Sequence, residues 1–238
     1  DFAAGVQGAS TKLVAAQAKI ATVFEGSSGV VAAWADETAA ALGMTSTQAQ
    51  TAAAGIADLL KPMGFTAEAA AGMSTDLMDL SGALSAWSAG KYTATEASEI
   101  LAAAMLGERD GLKGLGIAIS EADVQARVAA NGQAELTGAA LEQAKAVATQ
   151  QLIVEKSADA QRAWNDGSMA ATQAQNALSA SVAQAKESVV GLIGPLVSAL
   201  VPALTAAVSQ VQVFVAWLRE HDSVAQALAV AVGVVLVG

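Results

Sequence analysis

Apolar residues recur along the chain three and four apart, in blocks closed by short polar or glycine-bearing stretches. Two-residue alternation is hard to find, so the pattern predicts helices and no sheet. Val6 to Glu25 is the first block, carrying Leu13, Val14, Ile20 and Val23, and Gly26-Ser27-Ser28-Gly29 stops it. A second helix starts at Ser28 or Gly29, runs through Val30, Val31, Trp34 and Leu42, and has Gly43 in the place just past its end. Thr45-Ser46-Thr47-Gln48 opens a third helix, through Ile56, Leu59 and Leu60 to Lys61-Pro62. Thr66-Ala67-Glu68 opens a fourth, carrying Met73, Leu77, Leu80, Leu84 and Trp87, and Thr95-Glu96-Ala97-Ser98 a fifth, carrying Ile100, Leu101, Met105 and Leu106.

Gly43-Met44-Thr45 recurs as Gly64-Phe65-Thr66, and Lys91-Tyr92-Thr93 is a weaker echo. In each, an apolar residue precedes a hydroxyl able to cap a helix, the pattern of a hydrophobic staple. Residues 29 to 107 therefore read as a small helical domain of hairpins. Gly107-Glu108-Arg109-Asp110-Gly111-Leu112-Lys113-Gly114-Leu115-Gly116 invites a phosphate-loop reading. That reading fails, because no strand precedes the run and no Gly-Lys-Ser/Thr closes it, so a turn between helical units is expected.

Ser120-Glu121-Ala122-Asp123 caps a short helix to Ala130, ended by Asn131-Gly132. Thr137 to Asp166 reads as one long helix carrying Leu141, Val147, Leu152, Ile153 and Val154, with Gly167-Ser168 interrupting it. Met169 to Val190 continues as an Ala/Gln/Ser-rich helix, too poor in large apolar groups for a dense core, with Asn176, Ser179 and Lys186 on the line that leads into the apolar seam beginning at Val197. Gly191-Leu192-Ile193-Gly194-Pro195 predicts a kink or restart, and Pro202 a slight bend.

That seam has the strongest periodicity in the chain. Val197, Val201, Leu204, Val208, Val211, Val215 and Leu218 step four, three, four, three, four, three, the 3.5-residue repeat of helices that wrap around one another. The count meets polar Asp222 and then resumes at Ala225, Ala229, Val232 and Leu236. One buried helix of a globular bundle would explain such a seam, but packing against symmetry copies explains it without needing large apolar residues elsewhere. The expected fold is all-α: N-terminal helical hairpins followed by long helices that self-associate as a coiled-coil-like bundle. The expected segments are 1–28, an N-terminal helix; 29–119, the hairpin domain; 120–190, long polar and Ala-rich helices; and 191–238, a hydrophobic coiled-coil or membrane-active segment.

Composition sharpens this picture. The 238 residues are 54% hydrophobic but only 4% aromatic. Ala and Val supply most of that apolar content, which suits close helix packing and buries little area per residue. A net charge of −10 opposes stable nucleic-acid binding, because phosphates are repelled. There is no cysteine, hence no disulfide framework and no thiolate metal site. The chain begins at Asp1 rather than Met and stops inside the apolar run Ala227 to Gly238, so it reads as an excerpt of a longer polypeptide.

Candidate chemistry is sparse. His221, the one histidine, sits in Arg219-Glu220-His221-Asp222 with no second His or Cys, and reads as a solvated helix junction. Asp76 and Asp79 fall on neighbouring faces of a helix, and Glu108 and Asp110 lie in a loop, without the pocket that glycoside hydrolysis requires. No Gly-x-Ser-x-Gly elbow follows a strand. No catalytic residue, cofactor site or metal site is expected, and the protein reads as a non-enzyme. Ser223 to Gly238 has Gln226 as its one substantial polar side chain and, with Ala225, Leu228, Val232 and Leu236, forms a candidate membrane segment. It is shorter than the roughly 20 residues a span needs, unless it continues.

The run Gly107-Glu108-Arg109-Asp110-Gly111-Leu112-Lys113-Gly114-Leu115-Gly116-Ile117 resembles the G-E-x-x-x-L-x-x-L-G-I turn of tail tape measure proteins of long-tailed bacteriophages. As in that family, a helix comes after it, then a longer one with Ile153, then Trp164-Asn165-Asp166-Gly167-Ser168. An Ala/Gln/Asn helix and Gly191-Leu192-Ile193-Gly194-Pro195-Leu196-Val197-Ser198-Ala199-Leu200 come next. The hairpins from Trp34 to Leu106 belong to the resemblance too, whereas Trp164 to Met169 lacks the aromatic-rich form often found there. The resemblance implies a structural virion protein in the lumen of the tail tube or at the tail tip. Such a protein sets tube length and assists genome delivery across the host membrane. Implied partners are its own copies (a trimer, or alternatively a hexamer), tail tube and distal tail or baseplate proteins, and the host membrane during ejection. The alternative is a pore-forming or membrane-embedded helical protein.

Overall fold

Helix caps written into the sequence set the architecture. A computed structural model describes residues 2–220, with the backbone alone at 2–7 and over most of 196–220. Every regular element among the described residues is helical: α1 Phe2–Phe24, α2 Ser28–Thr38, α3 Ser46–Leu60, α4 Ala67–Trp87, α5 Ala94–Met105, α6 Glu121–Ala130, α7 Gly138–Lys156, α8 Ala158–Asn165 and α9 Ala170–Glu220. Short 3-10 turns at Glu25–Ser27, Lys61–Met63 and Asp110–Leu115 join neighbouring helices. Seam positions Val197, Val201, Leu204, Val208, Val211, Val215 and Leu218 fall on the helical backbone of α9. His221 and the candidate membrane positions Ala225, Leu228, Val232 and Leu236 lie outside the described residues.

Four helices start the same way. Thr45 holds an extended backbone, accepts the Gln48 N–H on its hydroxyl and donates its own N–H to the Gln48 side chain, a complete capping box. Thr93 with Glu96 and Ser120 with Asp123 repeat it, and Thr66 accepts the Ala69 N–H. The residue before each cap and the residue four after it are drawn into the interior. Met44 and Ala49, Phe65 and Ala70, and Ile119 and Val124 are all buried, and Tyr92 packs against the core beside Ala97. The start expected at Thr95 is therefore corrected to Thr93, whose side chain reaches the free N–H of Glu96, while Thr95 lies inside the first turn.

Helix ends are as local. Beyond α2, the Met44 N–H reaches Ala39 O and the Gly43 N–H reaches Ala40 O, the paired bonds of a Schellman close, with Gly43 at φ 79°. Gly107 ends α5 the same way, through Glu108 N–H to Ala103 O, at φ 100°. The glycine-bearing run 107–116 is thus a helix stop followed by a 3-10 turn whose Leu112 and Leu115 enter the core.

Two expectations change. The helix expected over Thr137 to Asp166 breaks at Ser157, whose hydroxyl donates to Ile153 O and also receives the Gln161 side chain, so α8 sets off in a new direction. The restart expected at Gly191 to Pro195 is absent, since α9 continues through Pro195 and Pro202. A proline removes one bond of the ladder but does not by itself end a helix. Contacts divide the chain into the unit Lys12–Glu187 and a unit joining Asp1–Thr11 to the residues from Ser188 on. The boundary expected at 119/120 falls inside the first of these.

Within Lys12–Glu187 the core is built round α4, which buries Leu77, Met78, Leu80 and Leu84. Ile56 and Leu60 of α3, Leu101 and Met105 of α5, Val124 of α6 and Leu152 and Ile153 of α7 complete it. Alanines with no exposed surface, among them Ala53, Ala57, Ala97, Ala104 and Ala148, line the helix contacts. Their small side chains let helix axes approach at the near end of the usual roughly 8–10 Å.

Candidate functional site

Asp76 and Asp79 stand one turn apart on the outer face of α4, where side chains three apart are neighbours. They line a cleft of about 650 Å³ together with Glu37 and Leu42, Leu80 of α4, and Gln161 and Trp164 of α8. The sequence places no pocket at this pair. The cleft arises because Ser157 turns α8 onto α4, a consequence of packing between segments far apart in the chain. Gly82 makes room for it: a Cβ there would stand 2.2 Å from Leu42 Cδ2 and 3.4 Å from the Trp164 ring.

The carboxylates are held by single bonds. Trp34 Nε1 donates to Asp79 Oδ1 at 2.9 Å, and Gln150 Nε2 lies 3.4 Å from Asp76 Oδ2. Loss of water raises both carboxyl groups above the ordinary range. The bonds from Gln150 and Trp34 oppose that, and the charges of Asp76 and Glu37 push Asp79 further up. Such a site favours a proton or a cationic group over an anion. Among the described residues no group of His, Cys, Asp or Glu is arranged to hold a metal ion.

Glu108 and Asp110, also expected to lack a pocket, border a second cleft of about 680 Å³ beside Tyr92, Glu96, Glu99 and Ile100. It opens where α5 meets the 3-10 turn. Arg109 turns away from those two acids, its Nη1 donating to Glu121 Oε2 at 2.8 Å. Neither cleft presents a nucleophile paired with a base.

The periodicity of the sequence makes α9 the expected working surface. Counted backwards at its own spacing, the seam passes through Gly194, Val190, Glu187, Ala183, Ala180 and Asn176. The chain itself covers this line. Asn176 Nδ2 donates to Ala41 O at 2.9 Å, Ala180 is 4% exposed, and Glu187 accepts the Thr45 hydroxyl at 2.7 Å. Gly194 is buried, and a Cβ there would stand 3.0 Å from Ser10 Oγ. Ser179 and Lys186, expected on the line into the seam, are exposed instead, because each lies one residue off the repeat.

No family model, curated protein or solved structure matches this chain.

The exposed side of α9 carries the feature that the seam overshadows in the sequence. Among its described side chains, the exposed large apolar ones are Leu178, Val182, Val189, Leu192 and Val213. Their separations, four, seven, three and twenty-one residues, all belong to one 3.5-residue repeat. The signal is present in the sequence, but periodicity alone does not say which of two apolar lines the rest of the chain will cover.

Proposed function

We propose that this protein is structural and acts through α9, as a helical rod that associates with its own copies in a coiled-coil-like bundle. In full, the reading is a tail tape measure protein: it occupies the lumen of the tail tube, sets tube length, and assists genome delivery across the host membrane. The observation that carries it is the 51-residue run of α9 without a break. At about 1.5 Å per residue that is roughly 76 Å, far beyond what the core of a small domain needs. From Ala170 to Trp217 its charged residues are Lys186 and Glu187, so copies can approach along it despite a chain charge of −10. The resemblance of the 107–117 turn and of the helix order to tape measure proteins supports the same reading.

The expected assembly is a trimer, with a hexamer as the alternative, enclosed by tube proteins. The mass of the cross-linked full chain reads the copy number directly, and a monomer at all concentrations would remove the basis of the proposal. Val208→Asp with Val211→Asp is expected to disperse the assembly, because each copy would bring two unpaired charges into a dry contact. A membrane-embedded protein is the competing reading. No helix among the described residues is long and apolar enough to cross a membrane. Release from particles without detergent would count against that alternative.

A further inference from the structure

The apolar line Leu178, Val182, Val189, Leu192 and Val213 runs along a face of α9 that the described residues leave exposed. Ala185 and Ala199, also exposed, occupy the same repeat. Leu178, Val182, Ala185, Val189 and Leu192 each lie two or five residues before a position on the covered line at 176–194, which sets the two lines on nearly opposite sides of the helix there. Polar residues would be expected on the outer side of a helix whose inner side is already packed. Here that side repeats Leu and Val at coiled-coil spacing instead.

We infer that this second line docks α9 of another copy of the same chain, so that each α9 lies between two neighbours. The inference rests on the self-association proposed above and assigns it a face. Two properties select the occupant. A partner that tracks the line without losing register must itself be a helix with a 3.5-residue apolar repeat. It must also be uncharged along that contact, since the only charged residues of α9 from Ala170 to Trp217, Lys186 and Glu187, both lie off the line and could not meet a buried charge there. Helix α9 meets both conditions. Of the other long helices, α1 carries Lys12 and Lys19, and α4 and α7 bury most of their large apolar residues, among them Leu77, Met78 and Leu84 of α4 and Leu152 and Ile153 of α7.

Leu192 and Gly191 allow a test by adjacent residues. Leu192 is 75% exposed on the line, whereas Gly191 is exposed off it, with open space where a side chain would go. In the full chain, Leu192→Asp and Val182→Asp should each weaken association at least tenfold by sedimentation, with helix content by circular dichroism unchanged. Gly191→Asp adds the same charge one residue away and should leave the mass as in the wild type. An oligomeric wild type whose mass ignores Leu192→Asp, or falls equally with Gly191→Asp, overturns this assignment and leaves self-association standing. A monomeric wild type overturns the self-association proposal and this inference together.

Discussion

Thr45 does two things with one hydroxyl. It accepts the Gln48 N–H, capping α3, and it donates to Glu187 of α9, although the residue is only 2% exposed. Thr93 caps α5 in the same way but gives its hydroxyl hydrogen to Glu96 of its own box, in solvent. Losing a cap costs about 1 kcal/mol. Thr93→Ala should therefore lower stability by about that amount. Thr45→Ala should cost about 1–3 kcal/mol more, because it also leaves a carboxylate without its buried partner. Urea titration of the two variants checks the order. Asp79 supplies a prediction of opposite sign. Its folded-state carboxyl titrates above the unfolded value of about 3.9, so the fold loses stability as pH rises from there through the raised value. Asp79→Asn keeps an acceptor for Trp34 Nε1 and removes the charge. It should raise the urea midpoint at pH 7, and the advantage should shrink as pH falls towards 4. An equal advantage at both pH values would rule out the electrostatic account. Glu96 and Asp123 run the other way: bonds from the Thr93 and Ser120 N–H groups lower them, so their caps weaken as acid protonates them.

At the scale of elements, starts and stops are the most legible part of the chain. Thr45, Thr66 and Ser120 cap the helices they are expected to cap, because a cap needs only the residue itself and the amide three positions on. Thr95 reads as a cap as readily as Thr93 because both are hydroxyls before a helix-forming run, and spacing to Glu96 decides between them only once the box is closed. Ser157 and Pro195 mislead in opposite directions. A serine amid good helix formers gives no signal of a break, whereas prolines signal breaks that a sufficiently long helix can absorb. Pro195 still lacks an N–H inside α9, so Pro195→Ala should stabilise that helix by up to about 3 kcal/mol. Slower amide hydrogen exchange over residues 191–199 would register it, and unchanged exchange would show that the helix already frays there.

For the molecule as a whole, the decisive fact is that α7 and α8 share a core with the helices before residue 119. Ile153 of α7 has no exposed surface and Leu77 of α4 is 1% exposed, both in the same cluster. Truncating either to Ala should cost about 2–5 kcal/mol. Both variants should shift one common unfolding transition of the Lys12–Glu187 unit, followed by calorimetry. Two transitions, each moved by one variant, would restore a boundary near residue 119. Sequence by itself determined that the chain is helical, where most helices begin and end, and that residues 178–218 repeat every 3.5 positions. Those features depend on backbone groups and neighbours within about one turn. Only the tertiary structure decided that Asp76 and Asp79 border a cleft, that α8 leaves the line of α7, and which side of α9 the chain covers between residues 176 and 194. Each of these is a contact between residues distant in the chain, and a helix with two apolar lines does not announce which one its own fold will use.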